Sequence, residues 1–224
     1  MLKRLPVTIE LAVLSLIIAL IVGLPIGLVS GLRQNTWTDH QGRLFSVIGL
    51  AVPNFWLGTL LILALSQWFN WVPPLGYVNI ATDPWKHLQQ IGLPAIVLGY
   101  SYAAFVVRMS RAQVLEVLRQ DYIRTAYSKG LRDRQVMTRH ALRNALLPVV
   151  TLSGLHLGAL LGGAVTIELI FSLPGLGRLL LEAISFRDYS TIQALVLLIA
   201  TIFLTVNLAV DLLLAWLDPR IRYA

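Results

Sequence analysis

The 224 residues predict an all-α, polytopic membrane protein with about five transmembrane helices. Three observations carry that expectation. The chain is 57% hydrophobic and only 13% charged, about half the charged share of a soluble globular domain, and its mean hydropathy is +0.73. Its apolar residues gather into runs of roughly 20, the length that crosses about 30 Å of hydrocarbon. Its positive charge lies between those runs: the segment 108–143 holds nine of the eighteen Lys and Arg but only three acids.

The apolar runs place spans at about 7–32, 44–69, 91–107, 146–171 and 191–217, in one membrane domain covering 1–224. The first run is too long, and too free of a small-residue cleavage site, for a signal peptide. The third is the shortest and carries Gly92, Pro94 and Gly99. Six Trp and sixteen Gly suit a bilayer, where aromatics sit at interfaces and glycines let helices approach. Cytoplasmic loops are enriched in Lys and Arg. Placing 108–145 inside gives the inner segments thirteen cations, including the tail from Asp218, against three in the outer loops (Lys86, Arg178, Arg187). The C-terminus is then cytoplasmic. Lys3 and Arg4 fall outside, against the trend.

The net charge of +7 does not point to nucleic acid, because the cations flank apolar spans and no nucleic-acid module is visible. The chain has no Cys, hence no disulfide, thiolate metal site or Cys nucleophile. There is no G-x-x-x-x-G-K-[ST], no H-E-x-x-H and no G-x-S-x-G, so no phosphate loop, zinc-protease helix or hydrolase elbow. The chain is not expected to be an enzyme.

Within the basic segment, Leu115, Leu118, Tyr122 and Ala126 recur at i, i+3, i+7 and i+11, one apolar stripe of a helix over 113–129. Arg119, Asp121, Arg124 and Lys129 fall largely off it. Gly130 follows as a left-handed stop, and Asp133 is placed to cap a second short helix that ends near Pro148. On that helix Arg132, Arg139 and Arg143 share a face. Physical chemistry alone leaves two readings: an interfacial hairpin on anionic headgroups, or a docking element for a partner.

The stretches "DYIRTAYSKGL" and "RHALRNALLPVV" resemble the so-called EAA loop of ABC-importer permeases, and within them the dipeptide/oligopeptide/nickel branch. Ala126, Gly130 and Leu147-Pro148 match the loop's pattern, while its Glu-Ala-Ala positions read Arg124-Thr125-Ala126. "LPVTIELAVLSLIIALIVGLPIGLVSGL", "FSLPGLGRLLLEAISFRDYSTIQA" and the tail "DPRIR" resemble the same branch, so the likeness covers essentially the whole chain. It implies a type I ABC-importer permease fold in a bacterial or archaeal cytoplasmic membrane. It further implies ATP on separate ABC ATPase subunits, a second permease subunit (copy or paralogue), an external substrate-binding protein, and a peptide or nickel complex as cargo. Asp121, Tyr122, Arg124, Thr125, Ala126, Lys129, Gly130 and Leu131 become the expected ATPase-coupling element. Full-length members of the branch carry a helix and an external segment before the "TIEL" helix, and the resemblance implies a chain lacking them. The competing reading is an inactive fragment or a membrane scaffold whose basic loop binds lipid.

In the spans, Gly23, Gly27 and Gly31, and again Gly154, Gly158 and Gly162, repeat at i, i+4 and i+8. Such faces allow close helix contact or leave room in a pathway. Ionisable groups at depth are candidates for function. Glu10 is expected to reach water, Glu168 to bond the following loop, and Asp211 to pair with an Arg of the basic segment. His156 lies on the same stretch as the second glycine series; His40, His87 and His140 are expected in loops and do not converge with it, so no metal site is expected. The "LPGLG" turn and the short helix after it are read as part of an external gate or as an interfacial re-entrant segment.

Overall fold

A computed structural model of the chain describes residues 1–132 and 135–217; the side chains of residues 140, 147, 150, 152–159, 161, 211 and 213–217 lie outside the description. Among the described residues the regular elements are all helical. They are α1 (Leu5–Leu32), α2 (Trp37–Ala51), α3 (Asn54–Phe69), α4 (Pro84–Leu118) and α5 (Asp121–Ser128), then a π-helical turn (Val136–Ala141) leading into α6 (Leu142–Ile170), α7 (Leu176–Ser185) and α8 (Tyr189–Leu217). Of the described residues, α1, α4 and Tyr189–Val210 of α8 are each long and apolar enough to cross a membrane, and the α2/α3 pair makes a fourth crossing if it is one span. The expected span 146–171 falls in α6, whose 29 residues amount to about 43 Å of helix.

Four expectations about boundaries are corrected. The apolar run 44–69 is two helices, because Pro53 takes an extended conformation (φ −63°, ψ 136°) at the start of α3. Proline lacks the N–H that would continue a helix and disfavours helical geometry in the residue before it. The third span does not end at Val107, since α4 continues unbroken to Leu118, so the first third of the basic segment is helix and not loop. The helix expected over 113–129 is broken at Arg119 and Gln120, where Gln120 is extended (φ −72°, ψ 146°). The second basic helix does not stop at Pro148 either. That proline lies inside α6, as prolines can in membrane helices whose freed carbonyls find other donors. The expected cap Asp133 lies outside the described residues.

The chain forms two compact units. One comprises Met1–Ile18, Val52–Tyr100 and the chain from His156; the other comprises Ala19–Ala51 and Ser101–Leu155. In the second unit, the glycine series of α1 lies against α4. A Cβ added at Gly23 would sit 2.8 Å from the Ala103 carbonyl oxygen, one at Gly27 2.7 Å from Ser110 Cβ, and one at Gly31 2.7 Å from Val114 Cβ. Backbones this close need hydrogen in place of a side chain. On α2 the buried residues are Asp39, Gly42, Ser46 and Gly49, a small-residue face at helical spacing. In the first unit, Gly58 lies against Phe171 and Val97, and Gly163 against Leu98.

Replacing Gly27 with Leu should therefore lower the thermal midpoint of the purified protein in detergent, on the scale of about 1–3 kcal/mol for overpacking. Gly162, where an added Cβ meets nothing within 4 Å, is the control, and Gly162→Ala should leave that midpoint unchanged. Equal losses in the two variants would contradict the packing assigned to α1.

Candidate functional site

The basic segment builds a short amphipathic helix on an apolar seat. Ile123 and Ala126 of α5 are buried with Val114 and Val117 of α4, Val136 and Ala141 of the π-helical turn, and Ala145 of α6. Leu28 and Leu32 of α1, with Leu118, Leu131, Met137 and Leu142, close the cluster. The buried face differs from the stripe read in sequence, because the break at Arg119 and Gln120 resets the helical phase. Val114 and Val117 turn inward, whereas Tyr122 is 40% exposed.

Of the eight expected coupling residues, the structure puts Asp121, Tyr122, Arg124, Thr125, Lys129 and Gly130 at the surface, Leu131 half-buried and Ala126 inside. Arg119, Arg132, Arg139 and Arg143 are exposed as well. Tyr122 accepts a bond from Asn144 Nδ2 at 2.9 Å, and Thr125 caps its own turn by donating to the Asp121 carbonyl.

Gly130 ends α5 in the left-handed region, at φ +74°. Its N–H donates to the Tyr127 carbonyl at 2.9 Å and the Leu131 N–H to the Ala126 carbonyl at 3.4 Å. That is the Schellman pattern, in which the residue after the glycine packs back on the helix. Leu131 does so by joining the apolar cluster.

The same unit holds a group the sequence did not single out. Asp39, at the start of α2, is fully buried. Its carboxylate accepts from Ser30 Oγ at 2.6 Å, the Asn35 backbone N–H at 2.9 Å, and both Nε (2.6 Å) and Nη2 (2.9 Å) of Arg111. A two-pronged guanidinium–carboxylate contact is among the stronger pairings available to a protein. Asp211, expected to pair with the basic segment, has its side chain outside the described residues.

In the first unit a second buried carboxylate organises the "LPGLG" turn. Glu168 accepts from Thr8 Oγ1 at 2.6 Å and from the Arg178 N–H at 3.1 Å, and the Leu176 N–H donates to Thr8 Oγ1 at 2.8 Å. The first turn of α7 is thus capped from α1 and α6, with the carboxylate at the end of the helix that favours negative charge. A Cβ at Gly175 would lie 2.1 Å from the Glu168 carboxyl carbon, so only glycine fits there. Arg178 bridges Glu182 at 3.0 Å and donates to the Ser172 carbonyl at 3.0 Å. Arg4 reaches Glu182 at 2.9 Å.

Glu10 does not simply reach water. It accepts from the Tyr77 hydroxyl at 2.7 Å and pairs with His87 Nε2 at 2.7 Å. His87 sits in α4, not in a loop, with Nδ1 2.8 Å from the Val78 carbonyl. Burial, and then the Glu10 carboxylate, push the Tyr77 hydroxyl up to about 12, so it stays a donor across the physiological range. His40 lies in α2 and is bonded to Arg43. His140, His156, Gly154 and Gly158 lie outside the described residues as far as their surroundings are concerned. No group of three or more metal-ligating side chains occurs among the described residues.

The helices take the fold of ABC-importer permeases. The inward-facing MetNI methionine ABC transporter shares the fold at a TM-score of 0.74, with 16% identity over 97% of this chain and 95% of that one. The chain belongs to the family of binding-protein-dependent transport system inner membrane components, whose pattern matches residues 23–223. Among curated relatives, the dipeptide transport system permease protein of Alkalihalophilus pseudofirmus is 42% identical over 98% of this chain and 72% of its own length. The glutathione transport system permease protein of Pectobacterium atrosepticum is 45% identical over 87% of this chain and 61% of its own length.

The Arg4 tie has a pH signature. Arg4, first, and then Arg178 hold the Glu182 carboxyl below its ordinary 4.5. A depressed carboxylate stabilises the fold above its unfolded value and loses that contribution as pH falls through the folded one. A single Cys in place of buried Val7 should label more slowly than the same Cys in the Glu182→Gln variant at neutral pH, and the two rates should converge as pH drops below about 4.5. Comparing the two proteins at equal pH cancels the thiolate fraction, which falls in both. A rate ratio that does not change with pH would remove the bridge from the account of the N-terminal end.

Proposed function

We propose that the chain is a permease subunit that moves small peptides across the cytoplasmic membrane, driven by separate ATPase subunits that grip α5. The observation that carries this reading is the shape of α5: a polar, cationic outer face held by a buried apolar inner one and stopped at Gly130. A helix that merely lay on lipid would turn its apolar face to the bilayer, whereas Ile123 and Ala126 are spent on the protein's own core. The exposed face is left for a partner.

The concentration of Lys and Arg around α5 supports a cytoplasmic position for it and for the C-terminus. The substrate path then lies between this subunit and a second permease, and an external binding protein delivers the cargo. The names of the relatives support dipeptides and glutathione within the cargo class; longer peptides and a nickel complex are the alternative cargoes of the branch. ATP stays on the partner, and this subunit contributes rigid-body movement of its helices around the path. The buried residues pass ATPase closure into α1 and α4, on which α5 rests.

The test is uptake in proteoliposomes holding this chain with its ATPase, second permease and binding protein. Peptide should enter with ATP and not without it, and nickel should not. Reversing the exposed charges in the pair Arg124→Glu and Lys129→Glu should cut uptake and ATPase co-purification by roughly tenfold or more, with the thermal midpoint unchanged. Ala126→Asp should lower all three, because it buries an unpaired carboxylate. Full uptake by the charge-reversed protein would overturn the assignment of α5.

A further inference from the structure

Beyond the transport reading, we infer that the groove between α1 and α2 is a binding site for one anionic phospholipid. The groove has a volume of about 420 Å³ and is lined by Pro25, Ile26 and Val29 of α1 and by Thr38, Gln41, Gly42 and Phe45 of α2. That volume falls in the range of sites for small ligands. Its chemistry runs in one direction. Pro25, Ile26 and Phe45 form an apolar deep end, while Thr38 and Gln41 bring polar groups to the end nearest the 33–36 turn.

Arg33 supplies the charge. It lies just past the end of α1, its N–H donating to the Val29 carbonyl at 3.0 Å, so it stands one turn beyond Val29 of the groove lining, and its side chain is exposed. An amphiphile with an acyl chain in the apolar end would carry its phosphate to Arg33, Thr38 and Gln41. Guanidinium is suited to phosphate. Arg43 and His40 are no part of this site, for the same helical arithmetic puts them on the opposite face of α2 from Thr38, Gln41 and Phe45.

The position gives the lipid an effect. Leu28 and Leu32, on the same turns of α1 as the groove, are part of the apolar seat of α5. Ser30, between them, is bonded to Asp39. A lipid held in the groove braces the segment of α1 that supports α5, on the α5 side of the membrane.

The experiment is native mass spectrometry of the purified full chain, released from nanodiscs of phosphatidylcholine containing phosphatidylglycerol. One phosphatidylglycerol should stay bound through detergent washing. Arg33→Gln should weaken it about fivefold, the scale of one interfacial cation, and Ile26→Trp should displace it by filling the groove. Arg43→Gln should leave it in place, and inorganic phosphate added at millimolar concentration should not compete. Arg33 is exposed, so its variant tests the site even if Ile26→Trp fails to fold. Equal loss in the Arg33 and Arg43 variants would mean diffuse surface charge, and no loss in either would mean annular lipid. Failure of Ile26→Trp to associate with a second permease, with lipid still bound, would make the groove a subunit contact. Each of these three results overturns the assignment.

Discussion

The Asp39–Arg111 pair is the contact on which the α5-bearing unit depends. A carboxylate with no exposed surface is tolerated only when nearly every lone pair is answered, and Asp39 receives four donors. Those donors come from the end of α1, the turn after it and the C-terminal part of α4, so one side chain fixes three pieces of chain at once. The glycine series of α1 lets the two helices come close enough for that to happen. The walls of the α5 seat are the next turns of the same helices: Leu28 and Leu32 on α1, Val114 and Val117 on α4. Where α5 sits is therefore a consequence of where Asp39 is satisfied.

The other unit solves the same problem with neutral donors. Glu168 has a hydroxyl and a backbone N–H where Asp39 has a guanidinium, and the first turn of α7 gains a cap it lacks locally. Among the described residues, the two fully buried carboxylates, Asp39 and Glu168, each serve as a fastener. Neither is arranged as a catalytic acid or base, since the donors around each are already engaged in holding backbone or helix ends.

Much of the fold was legible because it rests on local signals. Apolar runs of bilayer length, a glycine after Lys129 and a concentration of cations are each read from consecutive residues. The misses have a common origin in positions where the backbone changes direction inside a continuous composition. Val52-Pro53 splits an apolar run that hydropathy reads as one helix, and the Arg119-Gln120 turn shifts the phase. Leu115 and Tyr122 then lose the inward place that Val114 and Ile123 hold. The Asp39–Arg111 pair spans 72 positions and leaves no periodic trace. The one available cue was an acid followed by Gly42, Ser46 and Gly49 at helical spacing, a small-residue face beginning with a charge. Glu168 was easier, because its partners lie in the turn that follows.

The stop at Gly130 bears on how a load on α5 can travel. A glycine between two helices invites comparison with a hinge. Its surroundings are those of a lock: two backbone bonds close over the end of α5, and Leu131 is drawn into the same apolar cluster as Ala126. Rotation about Gly130 would have to break both bonds and withdraw Leu131. Packed interfaces move as bodies more readily than they deform. On the proposed reading of α5, a pull on its outer face would thus be conveyed sideways, through Ile123 and Ala126 into the ends of α1 and α4. The positive φ of Gly130 serves to make the stop tight enough that the helix cannot slip out of its seat.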